Sequence, residues 1–254
     1  MAGDSKTRFS NRVENYVKYR PDYPREILSL LRERIGFDQS WTVADIGSGT
    51  GISARMLLEN GNEVFGVEPN ADMRAAGEMF LKDLPRFCSV DGSAEATTLD
   101  DASVDVIISA QAFHWFDLDK CRPEFKRILK PGGWCVLIWN ERELSGSPFL
   151  EAYEALLKKY GADYLAVRHE RIDGNALSAF FAPAGFKSTT LPNQQIFDLD
   201  GLIGRCLSSS YAPAPGQPNH EPLMQELREI FASYQTNGRV PFEYQTHIHW
   251  GRVS

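Results

Sequence analysis

Apolar positions recur along this chain first at helical spacing and then as short runs, and the two rhythms alternate. From Pro24 to Ile35 the residues Ile27, Leu28, Leu31 and Ile35 share one face, which predicts a helix. Trp41 to Ile46 is a strand pattern that runs into glycines. Met56, Leu57 and Leu58 mark a short helix, with Gly61 in position to cap it. Val64 to Val67 predicts a second strand, and Asn70 can cap the helix after it. Phe87 to Val90 predicts a third strand and Val104 to Ser109 a fourth, whose unbroken apolar character implies burial on both faces. Leu118 to Leu129 reads as a helix closed by Lys130-Pro131-Gly132-Gly133, and Trp134 to Trp139 as a fifth strand. Strand alternating with helix at this spacing predicts βαβ units, a parallel sheet and right-handed crossovers.

The second half is less regular. Pro148 to Tyr160 carries an apolar stripe of Leu150, Tyr153, Leu156 and Leu157. Ala176 to Phe181 predicts a short helix, broken at Ala184-Gly185-Phe186, and Lys187 to Phe197 a strand. Leu202 to Ser209 and Pro222 to Tyr234 predict helices on either side of a loop holding Pro213, Pro215 and Pro218. Phe242 to Trp250 alternates and predicts a final strand. His247 and His249 share a face of it, and with no acid close in sequence they read as exposed strand residues rather than metal ligands.

Composition narrows the class. A chain of 254 residues can bury a large core unaided. The formal net charge of −7 speaks against a nucleic-acid substrate, which needs a clustered basic surface. The cysteines Cys88, Cys121, Cys135 and Cys206 form no C-x-x-C pair, so they read as reduced thiols of a cytoplasmic protein, with Cys135 in the core. Met1 to Asn11 is polar and unlike a signal peptide, and no apolar stretch approaches the ~18 residues of a membrane span. No metal site is expected.

The strongest chemical signal is Val43-Ala44-Asp45-Ile46-Gly47-Ser48-Gly49-Thr50-Gly51, between a strand and a helix. Glycines there let a ligand approach the backbone, and the helix start presents oriented amides. A dinucleotide fingerprint would need glycine at Ile52, and Asp45 just before the loop suits a cationic ligand better than a pyrophosphate. Glu68 falls at the carboxyl end of the second strand, where a carboxylate can accept from both hydroxyls of a ribose.

These features together resemble class I S-adenosylmethionine-dependent methyltransferases. Asp91-Gly92-Ser93-Ala94-Glu95 is similar to that family's adenine-binding loop, Asp105 to Ala110 to its fourth strand and Lys130 to Gly133 to the turn before its fifth. A narrower likeness, to the trans-aconitate methyltransferase-like small-molecule group, lies in Tyr16, Tyr19-Arg20-Pro21, Tyr23-Pro24, Gln111 to Phe116 and Ser208 to Tyr211. The resemblance implies an α/β, Rossmann-like fold: a seven-stranded, mostly parallel sheet with helices on both faces, an antiparallel last strand and helical lid insertions. It implies one domain over residues 1–254, with a core of about 38–142, an N-terminal lid helix of about 9–36 and a C-terminal lid and sheet-completing segment of about 143–254.

The resemblance further implies S-adenosylmethionine as cofactor and roles for particular residues. Gly47, Ser48 and Gly49 would meet its methionine part, with Asp45 near the ammonium and Ser109 alongside. Glu68 would hold the ribose, with Pro69 beside it also contacting the cofactor, Met73 would pack on the adenine, and Ser93 and Ala94 would read the adenine edge. Ser93 stands where the family often has Asp, so adenine recognition would be weaker, water-mediated or carried by the Ala94 backbone. Tyr16 and Arg20 would bind the cofactor from a lid helix over it, Arg20 meeting a carboxylate of cofactor or substrate, and Arg205 and Tyr211 are candidates to reach the pocket. His114 follows the fourth strand, where an open α/β sheet binds ligand, and is the candidate base or pocket wall. The expected reaction is methyl transfer to a small-molecule acceptor, a carboxylate or other oxygen nucleophile among the choices, by a monomer or homodimer. The rivals are an S-adenosylmethionine-binding protein without turnover and a nicotinamide-dependent reductase.

Overall fold

The computed structural model describes residues 18–162, 164 and 174–253. Its elements run α1 (Glu26–Ile35), β1 (Thr42–Ile46), α2 (Ile52–Glu59), β2 (Glu63–Val67), α3 (Ala71–Phe80), β3 (Phe87–Val90) and β4 (Val104–Ala110). After these come α4 (Leu118–Ile128), β5 (Leu129–Arg142), α5 (Pro148–Tyr160), α6 (Gly174–Phe180), β6 (Phe186–Phe197), α7 (Leu199–Leu207), α8 (His220–Tyr234) and β7 (Val240–Gly251).

The seven strands form one sheet in the order β3-β2-β1-β4-β5-β7-β6. The first five are parallel, and β7 lies antiparallel between β5 and β6. Strand order reverses at β1, which is flanked by β2 and β4, and an open α/β sheet binds ligand at that crevice. The expected mostly parallel sheet with an antiparallel last strand is the one observed. β4 is buried at nearly every position, as its apolar run requires.

Helices cover both faces because each buries one stripe. On one face Ile27 and Leu31 of α1 and Leu57 of α2 pack over Val43, Val106 and Val136. On the other, Phe125 and Ile128 of α4 and Phe180 of α6 pack over Ile46, Ile107 and Leu137. A third cluster joins α5, α7 and α8 around Phe242 and Tyr244 of β7. Among the described residues no helix is long and apolar enough to cross a membrane.

Local chemistry sets the boundaries. Asn70 caps α3 by accepting the amides of Asp72 and Met73 at 3.0 and 3.1 Å, as its type predicts. α7 begins at Leu199 rather than Leu202 because the Asp198 carboxylate caps it through the Gly201 amide at 2.8 Å. β5 begins at Leu129 rather than Trp134: its pairing to β4 resumes after Lys130 to Gly133 loop out, a turn in which Gly132 has φ +79°.

Candidate functional site

The glycine loop leaves β1 and enters α2. Gly47, Gly49 and Gly51 all have positive φ, at 71°, 56° and 84°. A Cβ on Gly47 would stand 2.4 Å from the Ala112 Cβ, so this glycine also admits the loop after β4. The Gly47 and Ser48 amides donate to the Val67 carbonyl at 2.9 and 3.2 Å, tying the loop to the end of β2. Glu68 follows directly. Its carboxylate accepts the Gly49 amide at 3.0 Å and the Asn70 amide at 2.9 Å, one on each oxygen. Each oxygen keeps a lone pair for a ligand hydroxyl. Burial pushes the Glu68 carboxyl up, against the opposing pull of those amides and of Arg74.

Asp45 is fully buried beneath the loop. Its Oδ2 accepts the Ser53 hydroxyl at 2.8 Å, while Oδ1 has no hydrogen-bond partner among the described residues. Burial lifts this carboxyl to about 7, and the Glu68 charge adds to the rise against the Ser53 bond. A buried carboxylate oxygen without a donor is expensive to desolvate, so this one suits a cationic or N–H-bearing ligand group. The Ser109 hydroxyl, near the end of β4, is buried too and has no hydrogen-bond partner among the described residues.

The other predicted positions gather around this loop. Met73, on the first turn of α3, is buried with its methyl 3.6 Å from where a Gly49 Cβ would lie. Ser48 is buried, and Pro69 is half-buried between Glu68 and the Asn70 cap. Ser93 exchanges backbone hydrogen bonds with Ala96 at 3.0 and 3.2 Å, holding buried Ala94 in a tight loop beyond β3. Tyr16 lies outside the described residues.

A cavity of about 610 Å³ opens at the carboxyl end of the sheet, touching Ile52 at the start of α2. Its walls come from both faces of the sheet. In the antiparallel ladder Trp139 opposes His247 and Arg142 opposes Tyr244, and alternation places these pairs on opposite faces. His114, in a short turn of Phe113–Trp115, sits on the Trp139 side with its ring 5.0 Å from Trp139 and 4.6 Å from Trp115. Arg20, Arg205 and Tyr211 line the cavity too. Arg20 donates to the Ser208 carbonyl at 3.0 Å, which pins the N-terminal segment to the end of α7.

His247 and His249 are not the exposed strand residues expected. Both line the cavity, and an acid faces one of them: His247 Nε2 lies 3.2 Å from Glu141. His249 Nδ1 shares a 2.8 Å hydrogen bond with Ser188, and burial lowers its pKa. The in-phase alternation of Trp139 and Glu141 with His247 was the available signal, and it becomes readable only once β5 and β7 are known to be neighbours. Gln111, at φ +57°, is a cavity residue whose own role the sequence does not indicate.

Comparison with known proteins agrees with this geometry. The family described as "Methyltransferase domain" matches residues 44–137, from β1 into β5. An uncharacterized methyltransferase of Schizosaccharomyces pombe is 33% identical over 245 residues, covering 94% of each chain. This chain is a class I S-adenosylmethionine-dependent methyltransferase. An uncharacterized methyltransferase of Mycobacterium tuberculosis is 36% identical to it over 140 residues, or 55% of each protein. The fold of this methyltransferase is similar to that of a proposed type II methyltransferase from Anaeromyxobacter dehalogenans, with TM-score 0.67, 24% identity and coverage of 92% and 98% of the two chains. The buried Asp45 oxygen, the doubly braced Glu68 and the positive-φ glycines fit S-adenosylmethionine, which carries an ammonium, a ribose diol and a chain that must pass close to backbone.

Proposed function

We propose that this methyltransferase methylates an oxygen nucleophile, a carboxylate or hydroxyl, on a small molecule held in the cavity beside His114. The observation that carries the reading is the 610 Å³ cavity lined by Ile52 at the start of α2 and by His114 after β4, the size of a small-molecule site rather than a groove for a polymer. Bound S-adenosylmethionine supplies an activated sulfonium methyl, so the protein has to align and to exclude water.

In this reading Glu68 takes the ribose hydroxyls and Asp45 meets the ammonium. The backbone of Gly47, Ser48 and Gly49 flanks the methionine part, with Ser109 beside it. Pro69 and Met73 pack on the nucleoside, and Ser93 and Ala94 face the adenine edge. The chain acts as one domain, in which Arg20 and the described helices after β5 close over the reactants. A carboxylate nucleophile needs no base, whereas for a hydroxyl His114 is the first candidate to receive the proton. The four unpaired cysteines are those of a protein kept reduced, in keeping with the cytoplasm.

The test is release of S-adenosylhomocysteine across a panel of carboxylic acids, phenols and amines, with the methylated product identified by mass spectrometry. Turnover confined to amines would reject the oxygen nucleophile. Binding of S-adenosylmethionine with turnover on nothing in a broad panel would favour a non-catalytic binder.

A further inference from the structure

The cavity holds a buried cation that the methyl transfer just described does not use. Arg205, on the last turn of α7, is 6% exposed and lines the cavity wall. Its Nε donates to the Tyr244 hydroxyl at 3.0 Å and its Nη1 to the Ser209 hydroxyl at 3.0 Å. Phe242 lies against the guanidinium carbon at 5.4 Å. Among the described residues no carboxylate lies within ion-pair distance of Arg205, and Nη2 donates to nothing. Hydroxyls and ring faces soften the burial of a guanidinium but do not neutralise it, and a buried charge without a counter-ion is strongly disfavoured.

The surroundings accentuate this imbalance. Arg20, bonded to the Ser208 carbonyl, and Arg142, opposite Tyr244 in the ladder, also line the cavity. Arg142 is already spent on Glu154, which also carries Lys158 at 3.4 Å. The only acid in the cavity wall, among the described residues, is Glu141, and alternation along β5 turns it to the face opposite Arg142 and Tyr244. On the Arg205 side, Ser210 and Tyr211 also line the cavity, and their hydroxyls make no hydrogen bond among the described residues.

We infer that Arg205, with the Tyr211 and Ser210 hydroxyls and with Arg20 nearby, forms an oxyanion subsite that anchors a carboxylate or phosphate group of the methyl acceptor. Oriented hydroxyl and N–H donors around a guanidinium fork match the oxygens of such a group, and a desolvated pair of this kind is strong and directional. The anchored group is distinct from the atom that is methylated, because the subsite and His114 lie on opposite faces of the sheet. The acceptor is then an organic anion that spans the cavity. The inference rests on the reading of this cavity as the acceptor site.

The experiment uses the full chain without an acceptor. Sodium succinate, inorganic phosphate and the uncharged control 1,4-butanediol are titrated at constant ionic strength, following the melting temperature and calorimetric heat. The expected result is saturable binding of succinate or phosphate, and which of the two binds tells carboxylate from phosphate. Butanediol gives no effect. Arg205→Gln weakens the anion at least tenfold and Tyr211→Phe, which keeps the ring, severalfold, while both bind S-adenosylmethionine within twofold of the original protein. No saturable anion binding to the original protein overturns the inference, as does equal binding by a folded Arg205→Gln. Should Arg205→Gln fail to fold, unchanged anion affinity in Tyr211→Phe and Arg20→Gln together overturns it. Anion binding that persists in a protein with no methyl transfer leaves this subsite standing and removes the proposed reaction instead.

Discussion

The Gln111 side chain grips the backbone of Asn140 from both sides, accepting its amide and donating to its carbonyl, each at 3.1 Å. Gln111 leaves strand geometry at φ +57°, and its carboxamide continues the β4–β5 ladder where the backbone turns away. Asn140 passes the constraint on: its side chain donates to the Asp22 carbonyl at 3.2 Å and accepts Thr246 and Asn193 at 2.5 and 3.2 Å. One cavity wall is therefore tied to the N-terminal segment, β6 and β7 at once. Gln111→Ala strands two backbone groups and should lower unfolding free energy by about 1–3 kcal/mol, measured by urea denaturation. Turnover should fall more than affinity for S-adenosylmethionine, because the nucleoside contacts lie at β2 and β3. An unchanged denaturation midpoint would rule out this role for the pair.

Gly47→Ala should lose both stability and cofactor. Its φ of +71° disfavours any side chain, and the new methyl would overlap Ala112 at 2.4 Å. The expected destabilisation is about 1–3 kcal/mol, with at least tenfold weaker S-adenosylmethionine by calorimetry. Gly49→Ala is predicted to be milder: its φ of +56° strains a side chain too, but its Cβ would meet the Met73 methyl at 3.6 Å and the Gly47 carbonyl at 4.0 Å, both ordinary contacts.

The parallel half of the fold was legible because its strands are apolar runs and its turns hold glycines where the backbone takes a positive φ that other residues avoid. Asp45, the glycines and Glu68 could be located for the same reason: the end of a buried strand is a fixed address. The cavity was not legible in the same way. Arg205 and Tyr211 are candidates to reach the pocket from sequence, but the burial of Arg205 against Tyr244 is a property of how α7 packs on β7. Glu141 and His247 are far apart in sequence and meet only because β7 inserts beside β5. Cross-strand register carries that information, and periodicity within a strand does not.

Asp45 gives a pH dependence with a definite sign. Its carboxyl titrates at about 7 in the folded chain, above the ordinary value near 3.8. Between those values the folded state holds a proton that the unfolded state lacks, so this group's contribution to stability declines as pH rises to 7 and is level above it. Asp45→Asn should therefore gain on the original protein between pH 5 and pH 8, by on the order of a few kcal/mol. Denaturation midpoints of both proteins across that range check it, and parallel pH profiles would refute it. Because an ammonium favours the ionised carboxylate, S-adenosylmethionine binding at pH 6 should release protons, visible as a buffer-dependent calorimetric heat.

His114→Ala should divide acceptors by chemistry. For a hydroxyl acceptor kcat should fall by about 10²-fold or more, with S-adenosylmethionine affinity unchanged, whereas for a carboxylate it should fall little. Steady-state rates on one acceptor of each kind make the comparison, and equal losses would assign His114 to the pocket wall alone.

The most direct test of the whole account is calorimetric titration of the original protein and of Glu68→Ala with S-adenosylmethionine and, separately, with NADH. The account predicts that only S-adenosylmethionine binds, with at least tenfold weaker affinity in Glu68→Ala. Absence of S-adenosylmethionine binding, or binding of NADH in its place, would contradict it.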